Sequence, residues 1–346
     1  MKKIIILLFL FLNGCAFNVK TPVVANYGNL DLIQKNSKKN DVLVLLGGPQ
    51  GNGVYGKSGS LNELDFYHGL AGKFSTSSAN MDSGTAFISY KGDSILDLFY
   101  FGSKITGSEI KFEKPINIKL ISDSVQIGSS SYSDLIKAVG EPDYIGKRIN
   151  SATNINHSVA FWDASIVAAD GVLREKFLFV GYDNNNIVQD LIWVSSDAED
   201  IKSFGTINDQ QMKHLYRNDQ AGWGFSVMDP VGLTTGTKLD PIQVDALIRS
   251  NPKNISDVIK VIGKPNALGI KSFKGSNSMR LSNWAYSKVD VKGNEANFIP
   301  SNASEEQRAK LNDSSWIVMS IEQTRLMIGH NENGDIQEIL WTHPIK

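Results

Sequence analysis

Cysteine is all but absent: the 346 residues contain one, Cys15. A single thiol excludes an internal disulfide framework and any cluster of thiolate metal ligands. Histidine offers no metal site either. His68, His157, His214, His330 and His343 show no H-x-x-x-H spacing, and surface or strand-end positions are expected for them. A charge of one sign is missing as well: 35 Lys and Arg stand against 36 Asp and Glu. Without a basic field, no nucleic acid is expected as a partner. No G-x-S-x-G nucleophile elbow occurs. The chain is therefore read as not an enzyme and without cofactors, a hydrolase lacking a recognisable motif being the alternative.

What is present begins at the N-terminus. Lys2 and Lys3 precede an unbroken apolar run over 4–12, too short to span a bilayer as a mature helix. Leu12-Asn13-Gly14-Cys15 follows and resembles a bacterial lipobox. The resemblance implies a signal peptide over 1–14, cleavage before Cys15 and acylation of that residue, with 15–27 as a tether. An ordinary secretory signal with a chance Cys is the other reading. Ala16, by analogy with lipoprotein sorting, favours the outer membrane facing the periplasm, exposure on the cell surface being left open. The lipid bilayer is then a partner through acylated Cys15. The rest of the chain, 41 % apolar overall and 21 % charged, reads as globular.

The stretch GNGVYGKS at 51–58 fits the phosphate-cradling pattern G-x-x-x-x-G-K-[ST]. That loop requires a helix opening at the Lys. Here Ser58-Gly59-Ser60 breaks the chain instead. No nucleotide is expected despite the match.

One phrase recurs three times: NDVLVLLGGP at 40–49, SDLIKAVGEP at 133–142 and SDVIKVIGKP at 256–265. Asn40, Ser133 and Ser256 read as helix N-caps, and the Asp after each suits the positive end of the helix dipole. Gly47, Gly140 and Gly263 read as left-handed C-caps, and Pro49, Pro142 and Pro265 forbid continuation. An aromatic strand and a hairpin follow each phrase, with alternating apolar residues. Short helical runs at 30–34 and 244–249 precede copies one and three, and copy two looks truncated there.

Helix, strong stop, aromatic strand and hairpin together resemble the BamE (SmpA/OmlA) lipoprotein module, and are similar to the β-lactamase inhibitor protein fold. The fold class implied is α+β: three tandem modules, each of one or two short helices packed on a three-stranded antiparallel sheet. The boundaries are module 1 at 28–101, a linker at 102–127, module 2 at 128–196, a linker at 197–238, and module 3 at 239–346 with an insertion at 289–314. The function expected is a membrane-anchored envelope lipoprotein that binds an envelope protein or acts as a scaffold in outer-membrane assembly or maintenance. An inhibitor of an extracytoplasmic enzyme, using a concave sheet, is the alternative. Trp162, Trp193, Trp284 and Trp341 recur at matching strand positions and read as core. Trp223, between Gly222 and Gly224 outside the repeat, is the candidate partner contact.

Overall fold

A computed structural model describes residues 18–19, 27–74, 79–107, 121, 124–167, 173–196, 239–276, 278–293 and 316–345. A short strand β1 (Asn18–Val19) leads into helices α1 (Tyr27–Asp31) and α2 (Lys39–Leu46). Strands β2 (Gly51–Lys57), β3 (Ser60–Phe74), β4 (Ala79–Lys91) and β5 (Ser94–Gly107) follow. Next come α3 (Tyr132–Val139), β6 (Tyr144–Asn150) and β7 (Ile155–Asp163), a small hairpin β8 (Ile166–Val167) and β9 (Leu173–Arg174), then β10 (Lys176–Tyr182) and β11 (Val188–Ser195). Helices α4 (Pro241–Arg249) and α5 (Ile255–Ile262) precede β12 (Ala267–Phe273), β13 (Met279–Gly293), β14 (Trp316–His330) and β15 (Ile336–Pro344).

The long strands pair in the order β14-β13-β12-β11-β10-β7-β6-β5-β4-β3-β2-β15, and β15 pairs back to β14. Every rung between them is antiparallel, so the sheet closes into a twelve-stranded barrel. Closure removes the exposed edges that a free sheet would carry.

This overturns the three-module α+β reading, and with it the resemblance to BamE and to the β-lactamase inhibitor fold. Each presumed module supplies four strands, not three. Its outer strands pair with strands of the neighbouring units: β5 with β6, β11 with β12, and β15 with β2. A separate module would leave two raw sheet edges in water; in the barrel these edges pair with each other. The proposed linker over 102–127 is partly strand, since β5 runs to Gly107. Copy two is not truncated: Ile121 and Val125, joined by a 2.8 Å helical hydrogen bond, pack on the same core as α3. The first part of the 289–314 insertion continues β13 to Gly293, opposite Ile317. The segment 197–238 lies outside the described residues.

The helices lie on the outside. Beneath α2 are Tyr67, Ile88, Leu98 and Tyr100. Beneath α3 are Trp162, Leu178, Leu191 and Trp193. Beneath α4 and α5 are Trp284, Leu326, Ile339 and Trp341. The N-caps stand two residues earlier than expected, at Lys38, Ser131 and Asn254, because the chain must first bridge to a hairpin turn of its own unit: Lys38 to Ser94, Ser131 to Ile187 and Asn254 to Asp335. Helices α2, α3 and α5 stop at Gly47, Gly140 and Gly263, with φ of 77°, 79° and 84°, and Pro49, Pro142 and Pro265 follow. The indole N–H groups of Trp162 and Trp284 donate to the carbonyls of Gly140 and Gly263 at 3.0 and 3.1 Å, tying two of these stops to the sheet.

The barrel has two unlike ends. At the turn end, compact connections join β2 to β3, β4 to β5, β6 to β7, β10 to β11, β12 to β13 and β14 to β15. The linker end carries the remaining connections and the β8–β9 hairpin.

Candidate functional site

Strand alternation turns one residue in two toward the lumen. Near the turn end, the fifth residue of each unit's first strand is Tyr55, Arg148 or Lys271. On each unit's fourth strand, an acid stands three residues before a buried aromatic: Asp97 before Tyr100, Asp190 before Trp193, and Glu338 before Trp341. The same two positions in three units thus build a ring of three acids, two cations and a phenol.

Arg148 Nη1 lies 3.1 Å from Asp190 Oδ2, and Arg148 Nη2 lies 3.6 Å from Asp97 Oδ2. Asn150 Nδ2 donates to Asp97 at 2.8 Å. His157 Nδ1 sits 3.1 Å from Asp190 Oδ1. Gly181 makes room for this contact, since a Cβ there would lie 2.1 Å from the same oxygen. Lys271 pairs with Glu338. Its ammonium lies 5.0 Å from the Phe273 ring centre and 5.8 Å from that of Tyr55.

The electrostatics follow from burial set against pairing. Burial pushes the Asp97 carboxyl up, and Arg148 only partly offsets it. Burial also acts on Asp190, but the His157 hydrogen bond and the Arg148 charge outweigh it and hold that carboxyl below the usual range. Burial lowers Lys271 against the pull of Glu338. It raises the Tyr55 phenol, as does the Glu338 charge.

A second charged cluster lies toward the linker end. Arg325 of β14 reaches Glu175, beside β10, at 2.6 Å, and Asn283 also donates to Glu175. Burial raises the Glu175 carboxyl, while Arg325 lowers it. Phenylalanines fill the space between: Phe99 meets Phe179 edge-on at 4.6 Å, and Phe101 stacks on Phe161 at 4.4 Å. With Val159, Phe177, Val194, Ala267 and Leu281 they form one buried cluster, so side chains occupy the lumen at this level. It is a packed core rather than a water-filled passage.

The segment 51–58 is β2 and its turn. Its backbone is committed to ladders with β15 and β3, where a phosphate cradle would need convergent free N–H groups. Gly53 in the middle of that stretch has another use. A Cβ there would lie 1.8 Å from the Trp341 carbonyl oxygen. Gly146 and Gly269, at the same place in β6 and β12, face the carbonyls of Tyr100 and Trp193 at 1.9 and 2.1 Å. All three sit at seams between units.

Trp162, Trp193, Trp284 and Trp341 are buried under the helices. His330 ends β14, fully buried, and His343 lies near the end of β15, while His68 and His157 stand within β3 and β7, and His157 joins the ring. Cys15, Trp223 and His214 lie outside the described residues. Sequence reasoning missed the ring. Its signal was the acid three residues before an aromatic, present in SILDLFYF, IVQDLIW and IQEILW.

No family model matches the chain, and no curated protein matches it. Among the described residues no helix is long and apolar enough to cross a membrane. A β-barrel of this kind is compatible with a place in the cell envelope.

Proposed function

We propose that the protein is an outer-membrane lipoprotein facing the periplasm, anchored by acylated Cys15, that binds an envelope protein and acts as a scaffold. The observation that carries this reading is the filled lumen. Arg148 with Asp190, and Arg325 with Glu175, join strands three and four places apart around the ring, which leaves the outer surface and the connections for contact. Within the ring, each charged group has a partner of opposite sign, the arrangement of a structural network. The Lys-rich start, apolar run and LNGC sequence support the anchor. Trp223 is the aromatic proposed to touch the partner.

Metabolic labelling with a clickable palmitate, followed by crosslinking and pull-down from envelope fractions, tests both halves. Label on the native chain and none on Cys15→Ser is expected, together with a membrane complex that weakens in Trp223→Ala. Label persisting in Cys15→Ser, or mature protein free in the periplasm, refutes the anchor. Capture of a soluble hydrolase, or of nothing, refutes the scaffold.

A further inference from the structure

β1 is two residues long and pairs with two strands at once. Asn18 and Val19 run parallel to Trp316 and Ile317 of β14, and antiparallel to Lys73 and Gly72 of β3. In the body of the barrel, β15 and β2 separate β14 from β3. At this level they have ended: the last β14–β15 rung is Arg325 with Thr342, and the last β2–β3 rung is Gly51 with Phe66. Lys73 lies seven residues beyond Phe66, and Trp316 nine before Arg325, so both strands project roughly 20–30 Å past that point. β3 stays paired with β4 as far as Phe74, and β14 with β13 as far as Ile317. β1 therefore clasps two ribbons that project from the linker end.

Cys15 precedes Asn18 by three residues. Three residues reach at most about 11 Å. The clasp at 18–19 thus fixes the chain to the ribbons three residues after Cys15. Acyl chains on Cys15 must therefore enter the bilayer close to the ribbon ends, far from the turn end.

We infer that the linker end faces the lipid bilayer, with the ribbons standing on the headgroups and the turn end held away from the membrane. The inference rests on acylation of Cys15 as proposed above. The chemistry of the turn end suits it: four of its six turns, Lys57-Ser58-Gly59, Lys91-Gly92-Asp93, Asp183 with Asn184, Asn185 and Asn186, and Asn331 with Glu332, Asn333, Gly334 and Asp335, carry no large apolar side chain.

The test uses the full acylated protein in phosphatidylethanolamine–phosphatidylglycerol vesicles that contain a headgroup-quenching lipid. Acylation uses the native thiol, so a single introduced cysteine carries the fluorophore. A probe at Asn80→Cys, opposite Lys73, should lose most of its emission. A probe at Asn185→Cys, at the turn end, should keep nearly all of it. Val19→Pro, which weakens the clasp, should shrink that contrast while the protein still floats with the vesicles. Equal quenching at both sites, stronger quenching at Asn185, or a contrast untouched by Val19→Pro overturns the inference. Failure to float, with no palmitate label, instead identifies the acylation reading as the fault, and the orientation falls with it.

Discussion

His330 shows what a single buried titratable side chain does to the whole. It is fully buried, with Nε2 3.2 Å from Ser282 Oγ and Nδ1 3.1 Å from the Asn331 carbonyl oxygen. Burial pushes its pKa down from 6.5 to about 3. The unfolded chain takes up a proton near 6.5, while the native one resists until about 3. Stability is therefore lost as pH falls through that interval, at about 1.4 kcal/mol per unit. His68, lowered to about 4, acts in the same direction. Asp97 and Glu175, raised by burial, act oppositely, because the native state binds their protons first. Asp190, held low, adds its loss only under stronger acid. The melting temperature of His330→Gln should thus fall less steeply than that of the native chain between pH 6.5 and 4. Parallel curves would show that His330 is already charged in the native state.

At the scale of elements, the seams decide more than the caps. Gly146→Ala places a Cβ 1.9 Å from the Tyr100 carbonyl oxygen, so β5 and β6 must part. Gly263→Ala meets nothing within 4 Å and pays only for φ of +84°. Urea unfolding should show a loss of about 3 kcal/mol or more for the first and about 1 kcal/mol for the second. The reverse order would contradict the seam. The caps were legible because a helix stop is local: Gly followed at +2 by Pro states it outright. The strands β2, β6 and β12 were not. Glycine weakens a strand signal, and GNGVYGK, YIGKRIN and ALGIKSF each spend a glycine on a neighbour that belongs to another unit. Nothing local reveals such a neighbour. The ring was hidden for the same reason, since Arg148 finds Asp190 only after the sheet has curled.

For the molecule as a whole, the difference between three modules and one barrel is a difference in cooperativity. Separate modules would melt separately. Here each unit's edge strands are completed by its neighbours, and one lumen core draws Phe99, Phe161, Phe179, Ala267 and Leu281 from all three units. Calorimetry should record one transition with equal calorimetric and van't Hoff enthalpies. Three resolved transitions would restore the modular picture. Alternation of apolar residues had marked one buried face along these strands. It could not show whether the second face was covered by a partner or by the far side of the same sheet.

The β15–β2 seam is made like the other two, with Gly53 against Trp341 as Gly146 is against Tyr100, yet no short stretch of chain leads from one side to the other. The closure is a wheel, and sequence is a line laid around it. First, second and third are addresses along that line; on the wheel they name no place, and a fault at any one seam is a fault in the same joint.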